Sequence, residues 1–375
     1  MRLADILETA WPDYARRYPR MPLRHAKAAH AILACRTAAM GGRMFDCPDC
    51  GHKHFAYHSC NHRNCPQCGQ FDQQQWLETQ QARLYLNTIH FLITFTVPES
   101  VRALFRAHQA ELYTLLFGVT ARCIQHFAAD KKYFAGQTGI LSVLHTWTRQ
   151  LIYHPHIHCI VPAGALSEDG HRWRSGKKPD FLFVHKAFRR HYRKLMQEAF
   201  AKTPYWSSIP KQVWREAWGV QFKPVGNARM ALAYLARYVN KTAISESRIL
   251  WHRDAKVCFS YTDSTTKEKK TRTLDEQEFL RRFFQHVLPT GFMRIRYYGL
   301  YHHSQKNRLA LARAYLGKGD EAPEPPKPET QSSNYTCPHC DVPMRLIDTF
   351  RPFRKYRPRG PPSVSSISVN ILDIR

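Results

Sequence analysis

The chain has 375 residues, of which 43% are hydrophobic and 13% aromatic, enough for two or three small domains with real cores. A formal net charge of +27, from 56 Lys+Arg against 29 Asp+Glu, points to a polyanionic partner, most commonly nucleic acid. No apolar run approaches the roughly eighteen residues of a membrane span, and no signal-peptide or lipidation pattern is present, so a soluble, cytoplasmic protein is expected.

In chain order, Leu3 to Met40 reads as two short helices broken near Tyr18-Pro19, with Arg16, Arg17, Arg20, Arg24 and Lys27 forming a basic surface. Next come two C-P-x-C-G knuckles, Cys47-Pro48-Asp49-Cys50-Gly51 and Cys65-Pro66-Gln67-Cys68-Gly69. The glycine lets the backbone turn so that amides can donate to the thiolates. Cys47, Cys50, Cys65 and Cys68 are therefore expected to hold one tetrahedral structural Zn²⁺, a closed site that folds and binds rather than catalyses. His58, Cys60 and His62 in the connecting arm are alternative ligands, for this ion or a second one. Cys35 reads as packed rather than ligating. Asp72 to Leu86 then reads as a helix leading into a new domain.

The β-rich run Thr88 to Pro98 predicts a central strand, Val101 to Phe127 is helical in pattern, and Gly139 to Trp147 predicts a second strand. The third, Tyr153-His154-Pro155-His156-Ile157-His158-Cys159-Ile160-Val161-Pro162, is distinctive. Alternation along a strand puts His154, His156 and His158 on one side, where neutral imidazoles can grip a divalent metal. The same pattern also suits a strand whose histidines are merely satisfied by hydrogen bonds. Ala163 to Leu166 carries the strand to a turn at Asp169-Gly170. Phe188 to Ala201 reads as a basic helix, Val220 to Val225 as a strand, and Ala228 to Val239, rich in strong helix formers, as a helix. Tyr234 and Tyr238 stand four apart on one face of it, a spacing that also suits core packing. The order predicts an α+β domain, an antiparallel sheet with helices on one face.

Beyond it, Arg248 to His252 and Val257 to Thr262 read as strands, Thr266 to Arg272 as a charged loop or strand edge, and Asp275 to Leu288 as an amphipathic helix. Met293-Arg294-Ile295-Arg296-Tyr297-Tyr298 alternates basic and aromatic groups, which suits bases stacked beside phosphate contacts and equally a plain strand. Glu321 to Ser333 reads as a linker, Cys337-Pro338-His339-Cys340 as a lone knuckle that Cys35 or Cys60 could complete, and Phe350 to Arg359 as a basic tail. The expected domains are 1–86 (helices and zinc), 87–250 (histidine strand and tyrosine helix), 251–318 (an extension of the second) and 319–375 (linker, knuckle, tail).

A histidine metal strand followed by a tyrosine helix resembles the layout of the HUH nucleases. The whole resembles the IS91 family of insertion-sequence transposases, with two tyrosines and a rolling-circle route. The carrying residues are Cys35-Arg36-Thr37, the two knuckles, Ser59-Cys60-Asn61-His62-Arg63-Asn64-Cys65-Pro66, Phe95-Thr96-Val97-Pro98 and Leu144-His145-Thr146-Trp147. To these are added His154 to Cys159, Tyr234-Leu235-Ala236-Arg237-Tyr238-Val239, and the stretches 279–283 and 294–299.

The resemblance implies an HUH nuclease fold behind a zinc ribbon. It implies Mg²⁺ or Mn²⁺ on His156 and His158, with Gln150 first and His154 or His145 next as third ligand. Tyr234 and Tyr238 would attack single-stranded DNA at transposon ends through a 5′-phosphotyrosine. Arg237, Lys241, Arg294 and Arg296 are the expected DNA contacts. A non-enzymatic zinc-ribbon DNA-binding regulator shares the charge and the thiols, and only the histidine–tyrosine constellation separates the two.

Overall fold

A computed structural model describes residues 1–68, 71–84, 86–175, 181–239, 242–263, 265–317 and 335–351. Contacts divide the chain into two compact units, one built from 70–241 and 288–327, the other from 1–69, 242–287 and 328–375. Of the expected extension 251–318, residues 251–287 group with the N-terminal segment and the rest with the larger unit. The linker 321–333 and the tail from 352 lie outside the described residues.

The larger unit is built on one antiparallel sheet. Its strands are β1 (Ile89–Thr96), β2 (Gly139–Trp147), β3 (Tyr153–Pro162), β4 (Val220–Asn227) and β5 (Ile295–Gly299), in the order β5-β2-β3-β1-β4. The central strands are apolar on both faces, as strands covered on two sides must be. Phe91, Ile93, Phe95, Ile140, Leu144, Ile157, Cys159 and Val161 enter one core, together with helices α1 (Gln109–Ala129) and α2 (Phe181–Phe200). Leu92, Leu141, Val143 and Ile160 face the other way, into a core shared with α3 (Ala228–Val239) and α4 (Lys306–Leu316). Helices therefore cover both faces, not one. The run from 88 to 98 could not reveal this, because its second apolar set is interrupted by Thr94 and Thr96.

That interruption creates the site. On the α3 face the apolar residues give way, toward one end of the sheet, to Thr94, Thr96, His145, His156, His158, Gln221 and Lys223. Register explains the grouping: Thr94 pairs with His158 and Gln221, Leu92 with Lys223, and His145 with His156. Helix α3 lies over the apolar half and buries Ala228, Ala231, Leu232, Leu235 and Ala236, a helical stripe. It starts sharply. Gly226 takes φ +80°, which favours glycine, and the Asn227 side chain accepts from the Met230 N–H at 3.0 Å.

In the smaller unit, helix Leu3–Arg17 buries Leu3, Ile6, Leu7, Trp11 and Tyr14, and helix Leu23–Ala34 follows after a short turn. Helix Glu276–Phe284 contributes Phe279, Leu280, Phe283 and Phe284; its first amides are capped by Asp275, and Phe284 lies 5.3 Å from Trp11. It leads out of a three-stranded sheet of Ile249–Arg253, Lys256–Thr262 and Lys269–Asp275. A second small sheet has Gly42–Asp46 at its centre, paired with Lys53–Tyr57 on one side and with Arg345–Phe350, from the far end of the chain, on the other.

Candidate active site and metal centres

The ligand atoms of His145, His156 and His158 lie within 4.8 Å of one another. The rings meet edge to face, with centroids 5.4 Å apart for His145–His156 and 4.9 Å for the other two pairs. His156 Nδ1 is 2.7 Å from the His154 carbonyl, which can only accept, so Nδ1 carries the proton and Nε2 is the basic nitrogen. His158 Nδ1 is held by the Thr94 hydroxyl at 3.0 Å, and His145 stacks on Trp147 at 4.9 Å. Such outer contacts fix ring orientation and tautomer in metal sites. Burial pushes the His156 imidazole down to about 4 and that of His158 well below its ordinary value, so both rings are neutral, the form that binds metal.

A third histidine joins the expected pair. Gln150 belongs to the turn after β2, where its N–H reaches Thr148 Oγ1, whereas His145 stands directly across the ladder from His156 on the same face. Cross-strand pairing, not closeness in sequence, selects the group. His154 shares the face, its ring 5.2 Å from that of His156, but stays outside the three-nitrogen cluster. An all-imidazole set suits Mn²⁺ or a later divalent metal better than the harder Mg²⁺.

A cavity of about 660 Å³ opens over this face, lined by Thr94, Thr96, His154, His156, His158, Gln221, Lys223 and Tyr234 among others. Tyr234 reaches it from α3, and the Lys223 ammonium lies 5.3 Å from its ring centroid. Tyr238 and Arg237 are on the same helix, but their side chains, like the whole of Lys241, fall outside the described residues. Of the expected contacts, Arg294 immediately precedes β5 and Arg296 lies within it. The Arg296 guanidinium sits 4.6 Å from the Phe117 ring and donates to Thr114 Oγ1 at 3.0 Å, on the α1 side of the sheet and away from the histidines. Arg294 lies 5.9 Å from the Trp147 ring.

The cysteines converge differently from the expectation. Cys47, Cys50, Cys65 and Cys68 do not share a site. Two groups form instead, Cys35 with Cys60, Cys65 and Cys68, and Cys47 with Cys50, Cys337 and Cys340, each with all sulfurs within 4.8 Å. The sulfurs lie 3.7 Å apart for Cys60–Cys68, 3.3 Å for Cys47–Cys340 and 3.5 Å for Cys50–Cys340. A disulfide needs about 2.05 Å. Four thiolates about 2.3 Å from one zinc stand about 3.8 Å apart, so the sets fit two tetrahedral ions. The cause is again long-range: Phe350 pairs with Gly42, and strand Arg345–Phe350 brings the last knuckle beside the first. The two knuckles are alike in backbone, Gly51 and Asp341 both taking positive φ and donating to the carbonyls of Cys47 and Cys337.

Residues 6–97 match the family model "Transposase zinc-binding domain", and residues 139–308 match the model described as "Putative transposase". The chain is 36% identical over 350 residues to the "Putative transposase y4qJ" of Sinorhizobium fredii, covering 88% of this chain and 87% of that protein. The chain belongs to the IS91 family of transposases. It is also 30% identical, over 72% of its length and 68% of the relative's, to the transposase for insertion sequence element IS801 of Pseudomonas savastanoi pv. phaseolicola. Among solved structures, the conjugative relaxase TrwC in complex with oriT DNA matches 61% of this chain and 72% of its own at 14% identity, with a TM-score of 0.26, too low to say anything of a shared fold.

In this IS91-family transposase, sequence reasoning missed Lys223 and Thr94 and ranked His145 behind Gln150. The available signal was the alternation of Gln221 and Lys223 within an otherwise apolar strand. Cys337 and Cys340 complete a metal set from outside both matched segments. No helix of the described residues is long and apolar enough to cross a membrane.

Proposed function

We propose that this transposase cuts and rejoins one strand of DNA at the ends of its element, with Tyr234 as the attacking group. The observation that carries the reading is the convergence of Tyr234, Lys223 and, from the histidine cluster, His156 and His158 on one cavity. Catalytic groups must meet at a single reacting phosphate, and a cavity of this size admits an unpaired strand. The phenol oxygen attacks phosphorus, the P–O3′ bond breaks, and the 3′ oxygen leaves as a hydroxyl. The 5′ end stays on the tyrosine as a phosphodiester, which conserves the bond for later joining. A divalent ion on His145, His156 and His158, Mn²⁺ or Mg²⁺, would supply Lewis-acid polarisation of the phosphate oxygens. Lys223 stabilises the charge that develops on phosphate. Tyr238, one helical turn on, is suited to a second strand. Two Zn²⁺ ions in the thiolate sets hold the N-terminal unit together, and the protein works where its DNA is, in the bacterial cytoplasm.

The test is incubation with a labelled single-stranded oligonucleotide carrying an element end, with Mn²⁺ or Mg²⁺. A denaturant-resistant protein–DNA adduct is expected, lost in Tyr234→Phe and without metal. An oligonucleotide that binds yet gives no adduct in either metal overturns the reading.

A further inference from the structure

The smaller unit holds a second cavity, of about 400 Å³, that strand cutting does not use. It opens where helix Leu3–Arg17 turns into helix Leu23–Ala34. Tyr14, only 4% exposed, lies at its floor, and the Tyr18 ring is 4.7 Å from it. Arg17, Arg20 and Arg281 stand around it. Arg281 is engaged by the carboxylate of Glu278. Arg17 and Arg20 have no acidic partner among the described residues. Two arginines left beside an aromatic cavity keep their full attraction for an anion.

A further polar group is unused. His25 lines the cavity, stacked 5.5 Å from Phe284, and its Nδ1 is buried with no hydrogen-bond partner among the described residues. Burial, helped by nearby Arg24, pushes the imidazole down to about 4, so the ring adds no charge to the wall. The wall is also preorganised. Pro19 and Pro22 fix their φ angles, Met21 N–H donates to the Tyr18 carbonyl at 3.0 Å and His25 N–H to the Pro22 carbonyl at 2.8 Å.

We infer that this cavity takes one unstacked nucleotide of the DNA on which the transposase acts, its base against Tyr14 and Tyr18 and its phosphate on Arg17 and Arg20. The volume is within the range of about 300–1,000 Å³ for small-ligand sites, which suits one nucleotide and not a duplex edge. Aromatic rings with neighbouring arginines are the usual means of holding unpaired bases. An acidic peptide would satisfy the arginines but leave the aromatic rings without a matching partner. The inference rests on the single-strand reading above.

The experiment uses the full-length, zinc-loaded protein and an oligonucleotide of an element end with 4-thiothymidine placed at successive positions. After near-ultraviolet irradiation, cross-linked peptides are mapped by mass spectrometry, and binding is followed by fluorescence anisotropy across salt concentrations. A cross-link in the peptide containing Tyr14 to His25, from one or two adjacent positions only, is expected. Arg17→Ala with Arg20→Ala should weaken binding about tenfold or more and reduce the slope of log K against log salt by about 1.4, for two single-strand phosphate contacts. Tyr18→Ala should weaken binding about fivefold or more with the slope unchanged. Cross-links confined to 89–239, with the arginine variants binding as wild type, overturn this inference and leave the cutting reading intact. Cross-links at 14–25 without any tyrosine adduct would support this site while sinking the cutting reading.

Discussion

The histidine cavity and the thiolate clusters are both sets of metal-type ligands, yet they are assembled differently. Within the cavity, two of three imidazoles come from one strand at a period of two, and the third from the strand hydrogen-bonded to it. In the thiolate unit, each set of four draws on distant segments, and one needs Cys337 and Cys340 to return across most of the chain to Cys47 and Cys50. A local pattern fixes the first kind of site. Long-range strand pairing fixes the second, and a knuckle motif read in isolation gives the right residue type with the wrong partners.

The largest effect expected from that contrast is on zinc and folding. Cys337→Ser should reduce bound zinc from two ions per chain to one and unfold the sheet around Gly42–Asp46, since structural zinc contributes on the order of 10 kcal/mol to such domains. Metal content by mass spectrometry checks it. Two ions retained would mean that Cys337 is not a ligand, and one ion in both proteins would restore the single four-cysteine site of Cys47, Cys50, Cys65 and Cys68. Next in size, His145→Ala should lower Mn²⁺ affinity by roughly 100-fold, read by calorimetry, while Gln150→Ala binds within about twofold of wild type. The reverse order would return the third position to the turn. Lys223→Ala should slow adduct formation by roughly 10- to 100-fold, with partial recovery in Lys223→Arg, because a cation is removed beside the phenol and the phosphate. The smallest effect belongs to Thr94→Val, about tenfold on Mn²⁺ affinity, by freeing the His158 ring from its hydroxyl partner.

Much of the larger unit was legible in the sequence because its signals are local. Strand β3, strand β2 and the tyrosine helix fall at their expected bounds, since β-branched runs, alternating histidines and a stripe of alanine and leucine each identify themselves within a dozen residues. What escaped depends on register. Nothing near His145 says that it faces His156, and nothing near Lys223 says that it stands beside the Leu92–Thr94 segment under Tyr234. Arg296 is an expected DNA contact that the structure sets on aromatic rings. Its alternation with tyrosines suited DNA, but the strand lies at the sheet edge and turns that guanidinium onto Phe117 and Phe292. The two positive-φ knuckle positions, Gly51 and Asp341, show the same limit, because glycine marks one turn while an aspartate occupies its counterpart.

The central claim is that Tyr234 is the group that takes the DNA. Its most direct test is to digest the protein–DNA adduct formed with Mn²⁺, and to locate by mass spectrometry the residue that carries the nucleotide. The account predicts a nucleotidyl phosphodiester on Tyr234 in the peptide that begins near Ala228. A nucleotide found only on Tyr238, or on any residue outside helix α3, would contradict it.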